Sequence, residues 1–284
     1  MSQFPPDVYA LIDASIAEDQ TFNDPTTQAV VPPEIQGTGW LRAKATGVLA
    51  GVDVAIAVFQ RVDPTLDAKA ILQDGAALCA GDDTAVVRGS AAGILRAERI
   101  ALNFMQRMSG IASDTNRYVE AVRGLNARIV DTRKTAPGHR FLDKYSVRMG
   151  GGYNHRLNLA DGILIKDNHI QANAFREMGL KEVIQLALAR ASHTIKVEVE
   201  VEDMEQVNAA LEAGAHIIML DNMSVSEMAE AMKVIGDKAI VEASGGITYD
   251  TVRAVAETGV DLISIGGLTH SVHALDISLD LEFD

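Results

Sequence analysis

The sequence predicts an α/β protein in which a small α+β region is followed by an open, incomplete (β/α) barrel. After Arg123, six short apolar runs rich in β-branched residues alternate with helical stretches; the runs are residues 127–130, 162–165, 195–201, 217–220, 239–241 and 262–265. Such alternation indicates a parallel sheet, because parallel strands need crossover connections. Six strand–helix units are fewer than the eight of a complete barrel, so we expect an incomplete or distorted one.

The N-terminal region has a different pattern of short strands, turns and helices. A helix is predicted for residues 7–18, where Val8, Leu11, Ile12 and Ile16 share one side. Residues 23–26, Asn-Asp-Pro-Thr, have the composition of a turn. Strands are predicted at residues 39–45, 68–72 and 84–89, with a helical piece at 52–60.

A long helix is predicted for residues 91–122. Apolar residues recur at spacings of three and four, from Ile94 to Ala112, and form one stripe. A second, polar stripe consists of Arg96, Arg99, Asn103 and Arg107. This polar stripe is either the solvent-facing side of the helix or a source of arginines for a ligand or a partner subunit.

The last segment, residues 275–283, alternates apolar and polar residues without a break, which is typical of a half-buried strand. We expect the barrel strands to be buried on both faces and therefore not to alternate. The alternating C-terminal strand is thus predicted to leave the barrel and join the N-terminal sheet.

Composition and charge exclude several classes of protein. The formal net charge is −14 and the pI is about 4.9, which argues against nucleic acid or a membrane surface as a partner. One cysteine, Cys79, excludes an internal disulfide framework and a zinc site built from several thiolates. A reducing compartment fits this usage, and we expect the protein to be cytoplasmic.

A basic island lies within this acidic chain. Between residues 128 and 166 there are three acidic residues and eight basic ones, Arg128, Arg133, Lys134, Arg140, Lys144, Arg148, Arg156 and Lys166. Such an island suits either a pocket for a small polyanion or a solvated basic face, and charge alone does not separate the two. Gly150–Gly152 matches no phosphate-binding fingerprint, and we expect a flexible turn that positions His155 and Arg156.

Polar residues follow every predicted barrel strand. They are Asp131–Lys134, Lys166–His169, Glu200 with Glu202, Asp221 with Asn222, Ser244–Gly246 and Gly266 with Gly267. Because ligands of α/β barrels sit at the carboxyl ends of the strands, these six groups are expected to converge on one site.

The chemistry of these groups indicates a ligand with several negative charges. Cations come from Arg133, Lys134, His155, Arg156 and Lys166, and arginine in particular suits carboxylates and phosphates. The carboxylates of Glu200 and Asp221 suit Mg²⁺ or sugar hydroxyls, although Glu198 and Glu202 share the strand face of Glu200 and are alternatives to it. Glycines at the last two strand ends are typical of a phosphate site, and His270 is either a phosphate contact or a packed residue.

At these positions the chain resembles the quinolinate phosphoribosyltransferase family. The resemblance covers nearly the whole chain and rests on these segments: Ala97–Arg99, Leu102–Asn103, Ser109–Ala112, Asp131–Gly138, Gly150–Arg156, Lys166–His169, Glu198–Glu200, Leu220–Asn222, Glu242–Gly246 and Gly266–Ser271. One departure is visible, since the family's Gly-Asp, aliphatic residue, Thr pattern is replaced by Asn23–Thr26.

The resemblance implies a fold and an assembly. Residues 1–108 would form an N-terminal α/β sandwich domain, joined by the C-terminal strand 274–284, and residues 109–273 would form the barrel domain. Two protomers would pair head to tail in a homodimer, with Arg99 donated across the interface.

The resemblance also implies a reaction and the residues that perform it. Quinolinate and phosphoribosyl pyrophosphate would be the substrates and Mg²⁺ the cofactor, with Lys134, Lys166, Glu200 and Asp221 as catalytic residues. Quinolinate would be held by Arg99, Arg133, Lys134, His155, Arg156 and Lys166, next to Thr132. Glu200 and Asp221 would contact ribose hydroxyls and Mg²⁺, while Ser244, Gly245, Gly246, Gly266, Gly267, Leu268 and His270 would lie at the phosphates.

Three other functions are compatible with parts of this pattern. A molybdate-transport-associated paralogue shares the fold and the Thr-Arg-Lys motif but tends to lack the Lys-Asp-Asn-His and Ala-Glu-Arg segments. A nicotinate phosphoribosyltransferase acts on a monocarboxylate and needs fewer cations. A non-catalytic barrel that binds a polyanion is the alternative from outside the enzymes.

Overall fold

The computed structural model describes residues 4–283, except the side chain of Ala174, and these residues form two compact units. The first unit contains the chain up to Asn116, Thr135–Gly151 and the segment from Gly267 onward. The second contains Arg117–Lys134 and Gly152–Gly266. The domain boundaries that the resemblance implies, 1–108 with 274–284 and 109–273, remain a prediction.

The elements alternate along the chain. The helices are α1 (Pro6–Glu18), α2 (Pro25–Val30), α3 (Val52–Val62), α4 (Ala91–Ala121), α5 (Arg140–Met149), α6 (Asp167–Gln171), α7 (Leu180–Arg190), α8 (Met204–Ala213), α9 (Val225–Ile235), α10 (Val252–Glu257) and α11 (Gly267–His270). The strands are β1 (Gln36–Ala43), β2 (Gly47–Val48), β3 (Asp67–Ala70), β4 (Ala77–Leu78), β5 (Asp83–Ser90), β6 (Arg128–Val130), β7 (Ile163–Ile165), β8 (Val197–Val201), β9 (Ile217–Asp221), β10 (Ile240–Ser244), β11 (Leu262–Ser264) and β12 (Ile277–Phe283).

An antiparallel sheet of order β12-β1-β5-β3 forms the centre of the first unit. The C-terminal strand β12 pairs with β1 in a register that places Leu279 opposite Leu41. This pairing confirms that the alternating last segment joins the N-terminal sheet.

The expected turn at residues 23–26 is instead the start of helix α2. Asp24 is its N-cap, because its carboxylate accepts the backbone N–H of Thr26 at 2.9 Å, and Pro25 occupies the first helical position. A hydrogen bond from the Thr27 side chain, opposed by partial burial, lowers the pKa of Asp24. Turn composition and helix-start composition are the same here, which is why the sequence pattern led to the wrong element.

Helix α4 buries the predicted apolar stripe, including Ile94, Ala101 and Met108. The polar stripe does not behave as one surface. The Nε and Nη2 atoms of Arg107 donate to the two carboxylate oxygens of Asp143 on α5, at 3.1 and 3.0 Å. Asp143 has no exposed surface. Arg107 therefore joins α4 to α5 within the first unit and does not bind a ligand. Arg99, in contrast, is exposed.

Glycines allow other segments of the first unit to approach α4 closely. A Cβ atom on Gly150 would lie 2.2 Å from the carbonyl oxygen of Ala112. The expected turn is present at Gly150 and Gly151, but Gly150 is also required where the end of α5 packs against α4.

Replacing Gly110 with alanine tests this packing. Its Cβ would lie 2.1 Å from the carbonyl oxygen of His273, a backbone atom that does not yield, so we expect a loss of about 3 kcal/mol in the free energy of unfolding. Gly179→Ala is the matched control, because its Cβ would meet only the flexible Glu182 carboxylate, at 3.2 Å. Chemical denaturation of both variants measures the difference, and equal losses would contradict the packing role of Gly110.

A six-stranded parallel sheet of order β6-β11-β10-β9-β8-β7 forms the centre of the second unit. Among the described residues β6 and β7 are its edges, so the sheet is open. Helices α7 and α8 contact β8, α9 contacts β10 and α10 contacts β11. This architecture confirms the predicted α/β class and the incomplete barrel of six strands.

The two faces of this parallel sheet differ in polarity. On β8, the completely buried Val197, Val199 and Val201 alternate with Glu198 and Glu200. The parallel register places Glu200 and Glu242 beside Met219, and Ser244 beside Asp221. These residues therefore share one polar face, and the expectation that barrel strands do not alternate is wrong for β8.

No helix among residues 4–283 has the length and apolar content that a membrane crossing requires.

Candidate active site

The carboxyl ends of all six strands lie at one edge of the parallel sheet, because every pairing in it is parallel. The polar groups that follow β6 to β10, together with Gly266, therefore belong to one edge of the second unit, as the sequence predicts.

The turn after β6 presents two cations. The side-chain oxygen of Thr132 accepts the backbone N–H of Lys134 at 3.1 Å, which shapes the turn. Lys134 is exposed. Arg133 is half-buried, and its Nε atom is buried without a hydrogen-bond partner among the described residues.

A buried carboxylate to which the sequence analysis gave no individual role holds the segment before Arg156. Asp131 has no exposed surface, and its two oxygens accept the side-chain amide of Asn154 at 2.6 Å and the backbone N–H of His155 at 2.9 Å. Tyr153 pairs with the end of β6 by donating to the carbonyl of Ile129 at 2.8 Å. This edge pairing fixes the segment that leads into Arg156.

The guanidinium groups of Arg156 and Arg133 are near neighbours. Burial and then the charge of Arg133 lower the pKa of Arg156, and the carboxylate of Glu198 partly offsets this. Arg156 donates to the carbonyl of Gly162 at 3.1 Å. Two half-buried cations held together in this way favour an anion between them.

Lys166 and Glu200, at the ends of the adjacent strands β7 and β8, form an ion pair between Nζ and Oε2. The backbone N–H of Lys166 donates to Nδ1 of His169 at 3.0 Å, which starts helix α6. The structure thus pairs Lys166, which the resemblance assigns to quinolinate, with Glu200, which it assigns to the ribose hydroxyls and Mg²⁺.

A buried cluster of His155, Glu198 and Glu242 lies on the polar face of the sheet. Nε2 of His155 is 3.3 Å from Oε2 of Glu198 and 3.5 Å from Oε2 of Glu242. The second oxygen of each glutamate is buried without a hydrogen-bond partner among the described residues. Donor atoms of the three side chains lie within 4.8 Å of one another, close enough to share a proton or hold a cation.

Sequence reasoning gave Glu198 only as a substitute for Glu200 and gave Glu242 no role. The alternation of glutamate and valine along β8 was the signal for Glu198. Glu242 lies on the same polar face as Glu198, but no pattern within β10 distinguished it.

Burial and the nearby charge of Glu198 raise the pKa of Glu242 to about 7, from an ordinary value of 4.5. Between these values the folded protein keeps a proton that the unfolded chain releases, so the free energy of unfolding falls as pH rises through this range.

The variant Glu242→Gln removes this titration. Relative to the unmodified protein, its free energy of unfolding is expected to improve between pH 5 and pH 8 by about 1 to 3 kcal/mol. Urea unfolding at both pH values measures the change. Parallel pH dependences of the two proteins would contradict the raised pKa.

The ends of β9 and β10 are joined tightly. The backbone N–H of Asn222 donates to the carbonyl of Ser244 at 3.0 Å, and its side chain donates to Asp221 at 2.6 Å. Gly245 has φ of +87°, and a Cβ there would lie 2.3 Å from the side-chain oxygen of Asn222. Only glycine fits this position, so the backbone of residues 244–246 is available at the sheet edge.

The remaining predicted residues lie in the first unit. Gly267, Leu268 and His270 form helix α11 directly after β11. Leu268 is buried, whereas His270 is exposed, with its Nδ1 atom 2.7 Å from the Ser271 hydroxyl, which excludes the packed alternative for His270. Of the basic island, Arg140, Lys144 and Arg148 lie on α5 in the same unit, and Lys144 is buried.

Clustered cations, paired carboxylates and glycine turns at the carboxyl edge of a parallel sheet define an α/β enzyme for a small anionic substrate. Comparison with known proteins identifies the family. Residues 111–280 match the C-terminal domain model of quinolinate phosphoribosyl transferase, and residues 24–109 match its N-terminal domain model.

Individual relatives extend over almost the whole chain. The chain is 43% identical over 277 residues to a nicotinate-nucleotide pyrophosphorylase (carboxylating) of Mycobacterium leprae (strain TN), covering 95% of each protein. It is 41% identical over 271 residues to a probable enzyme of the same name from Bacillus subtilis (strain 168), covering 95% of this chain and 92% of the relative. The crystal structure of NadC from Streptococcus pyogenes is similar with a TM-score of 0.93 at 39% identity, and 100% of each chain is covered.

The chain belongs to the quinolinate phosphoribosyl transferase family. It is a phosphoribosyltransferase of NAD biosynthesis.

Proposed function

We propose that the protein transfers the phosphoribosyl group of phosphoribosyl pyrophosphate to the ring nitrogen of quinolinate. Pyrophosphate and CO₂ are released, and nicotinate mononucleotide is the product. The observation that carries this proposal is the pair of half-buried guanidiniums of Arg133 and Arg156, which suits a dicarboxylate.

In this proposal, quinolinate lies against the cations of the second unit. The guanidiniums of Arg133 and Arg156 bind its carboxylates in bidentate fashion, whereas Lys134 and Lys166 act as point charges. The Thr132 hydroxyl supports this arrangement through the turn that it shapes. His155 is proposed to belong to the same quinolinate site, where both of its ring nitrogens have partners within the protein.

Glu200 and Asp221 are proposed to bind the ribose hydroxyls and Mg²⁺. They lie on the same face of the adjacent strands β8 and β9, and their hard oxygen donors fit Mg²⁺. When bound, Mg²⁺ would stabilise the negative charge that develops on departing pyrophosphate. The ion pair of Lys166 with Glu200 couples the two groups of ligand-binding residues.

The phosphates are proposed to bind glycine-rich backbone. Ser244–Gly246 offers a backbone with two successive left-handed glycines, whose N–H groups can approach phosphate oxygens. Gly266, Gly267 and Leu268, with the exposed His270, follow β11 and are the second proposed phosphate segment.

The residues accelerate the reaction by positioning and by charge. Held between cations, quinolinate directs its ring nitrogen at C1 of the ribose while pyrophosphate leaves. The ring nitrogen then carries a positive charge, which stabilises the electron pair left on C2 when the 2-carboxylate departs as CO₂. That electron pair takes up a proton from water, which gives the C2–H bond of nicotinate mononucleotide.

The proposal includes a homodimer in the cytoplasm, in which the partner's Arg99 completes the quinolinate site. Arg99 is exposed on α4, whereas Arg107 is committed to Asp143, so Arg99 rather than Arg107 is proposed to reach a second copy. Neither nucleic acid nor a membrane is a proposed partner of this acidic chain.

Pyrophosphate release tests the proposed substrate. With phosphoribosyl pyrophosphate and Mg²⁺ present, quinolinate is expected to give steady release and nicotinate none above background, because nicotinate leaves one guanidinium without a carboxylate. Equal release with both acids would contradict the dicarboxylate assignment. No release with either acid from folded protein would favour a non-catalytic polyanion-binding role.

A further inference from the structure

The cluster of His155, Glu198 and Glu242 is linked directly to Arg156. The backbone N–H of Arg156 donates to Nδ1 of His155 at 2.8 Å, so Nδ1 is an acceptor and carries no proton. The neutral ring therefore has its proton on Nε2, which points at the two glutamates. The histidine ring is fixed at both ends.

The segment that carries Arg156 is thus held at several points by buried carboxylates. Asp131 fixes Asn154 and the backbone of His155, while Glu198 and Glu242 fix the His155 ring. Glu242 is 1% exposed and Glu198 is 5% exposed, so water does not compete for these contacts.

This anchoring opposes the electrostatic repulsion between the guanidinium groups of Arg156 and Arg133. After burial, the charge of Arg133 is the second cause that lowers the pKa of Arg156, as expected for two like charges near each other. Without a fixed backbone the two guanidiniums would separate, and an anion would have to bring them together again at a cost in affinity.

We propose that Glu198 and Glu242 are positioning residues that hold Arg156 beside Arg133 through the ring of His155. This inference rests on the proposed function, in which these two arginines bind quinolinate. It assigns a role to two buried carboxylates to which the proposed reaction gives none.

The test compares the unmodified protein with Glu242→Met and Glu242→Gln. Methionine keeps the volume of the side chain and removes one of the two carboxylates that face Nε2 of His155, whereas glutamine keeps an acceptor oxygen there. Glu242→Met is expected to raise KM for quinolinate about tenfold and to leave KM for phosphoribosyl pyrophosphate within twofold. Glu242→Gln is expected to restore KM for quinolinate to within about twofold.

Two controls separate positioning from general damage. Glu212→Gln changes an exposed glutamate that pairs with Lys181 on the surface of the same unit, and both KM values are expected to stay unchanged. Glu198→Met removes the other acceptor from β8, and it provides the test if Glu242→Met does not fold. Near-ultraviolet circular dichroism reports whether each variant is folded.

An unchanged KM for quinolinate in folded Glu242→Met would overturn the proposal, as would equal increases in both KM values. A glutamine variant as impaired as the methionine variant would also overturn it, because charge rather than the hydrogen bond would then be responsible. If the unmodified protein itself does not turn over quinolinate, the proposed function fails instead, so the two failures are distinguishable.

Discussion

Lys134→Ala is expected to lower kcat by at least about a thousandfold while the fold stays intact. Lys134 is exposed in the turn after β6, so its truncation removes little packing. Its backbone N–H still donates to Thr132, which keeps the turn. The loss falls on catalysis, because a fixed positive charge that positions quinolinate against C1 of the ribose would be missing.

The control for Lys134→Ala is Lys181→Ala, which removes a surface lysine that pairs with Glu212 and is not among the predicted site residues. Circular dichroism and thermal unfolding establish that both variants are folded, and pyrophosphate release gives kcat. Near-normal turnover by Lys134→Ala would remove Lys134 from the catalytic residues.

Mixing two inactive variants, Arg99→Ala and Lys166→Ala, is expected to restore activity. If Arg99 serves the site of the partner subunit, a heterodimer contains one site with both substitutions and one site with neither. Random exchange makes half of the dimers heterodimers, so about a quarter of the original activity should return.

Two observations decide the outcome of the mixing experiment. Native mass spectrometry of differently tagged chains measures the exchange, and pyrophosphate release measures the recovery. No recovery despite exchange would place Arg99 and Lys166 in the same site of one protomer. A mixture of Lys134→Ala with Lys166→Ala is the matched control and should stay inactive, because both residues belong to one protomer's site.

The sequence was sufficient for the strand–helix alternation of the second unit. Six apolar runs predicted the six parallel strands, and the unbroken alternation from residue 275 onward predicted the strand that pairs with β1. These patterns succeed because burial on a sheet imposes a period that the residues themselves record.

Tertiary contacts account for what the sequence did not reveal. Gly150 reads as a turn residue, yet the carbonyl of Ala112, distant in sequence, is what requires a glycine there. Arg107 belongs to a polar stripe, but a buried carboxylate 36 residues away determines its role. In both cases the decisive partner cannot be inferred from local composition.

In the candidate site, too, local patterns predicted some residues and tertiary contacts determined the role of others. The cations and glycines at the strand ends were visible because they interrupt apolar runs. Asp131, Glu198 and Glu242 lie within or directly after those runs and act behind the site, and only the distances to Asn154 and His155 give them a role. Buried polar residues must have partners, but the sequence does not name them.

The most direct test of the proposed reaction follows the two carboxylates of quinolinate separately. Quinolinate labelled with carbon-14 in the 2-carboxylate is incubated with the protein, Mg²⁺ and phosphoribosyl pyrophosphate, and released CO₂ and pyrophosphate are counted. We expect labelled CO₂ equal in amount to pyrophosphate, and none when phosphoribosyl pyrophosphate is omitted or when the label is in the 3-carboxylate. Pyrophosphate release without labelled CO₂, or CO₂ release that does not need phosphoribosyl pyrophosphate, would contradict the account.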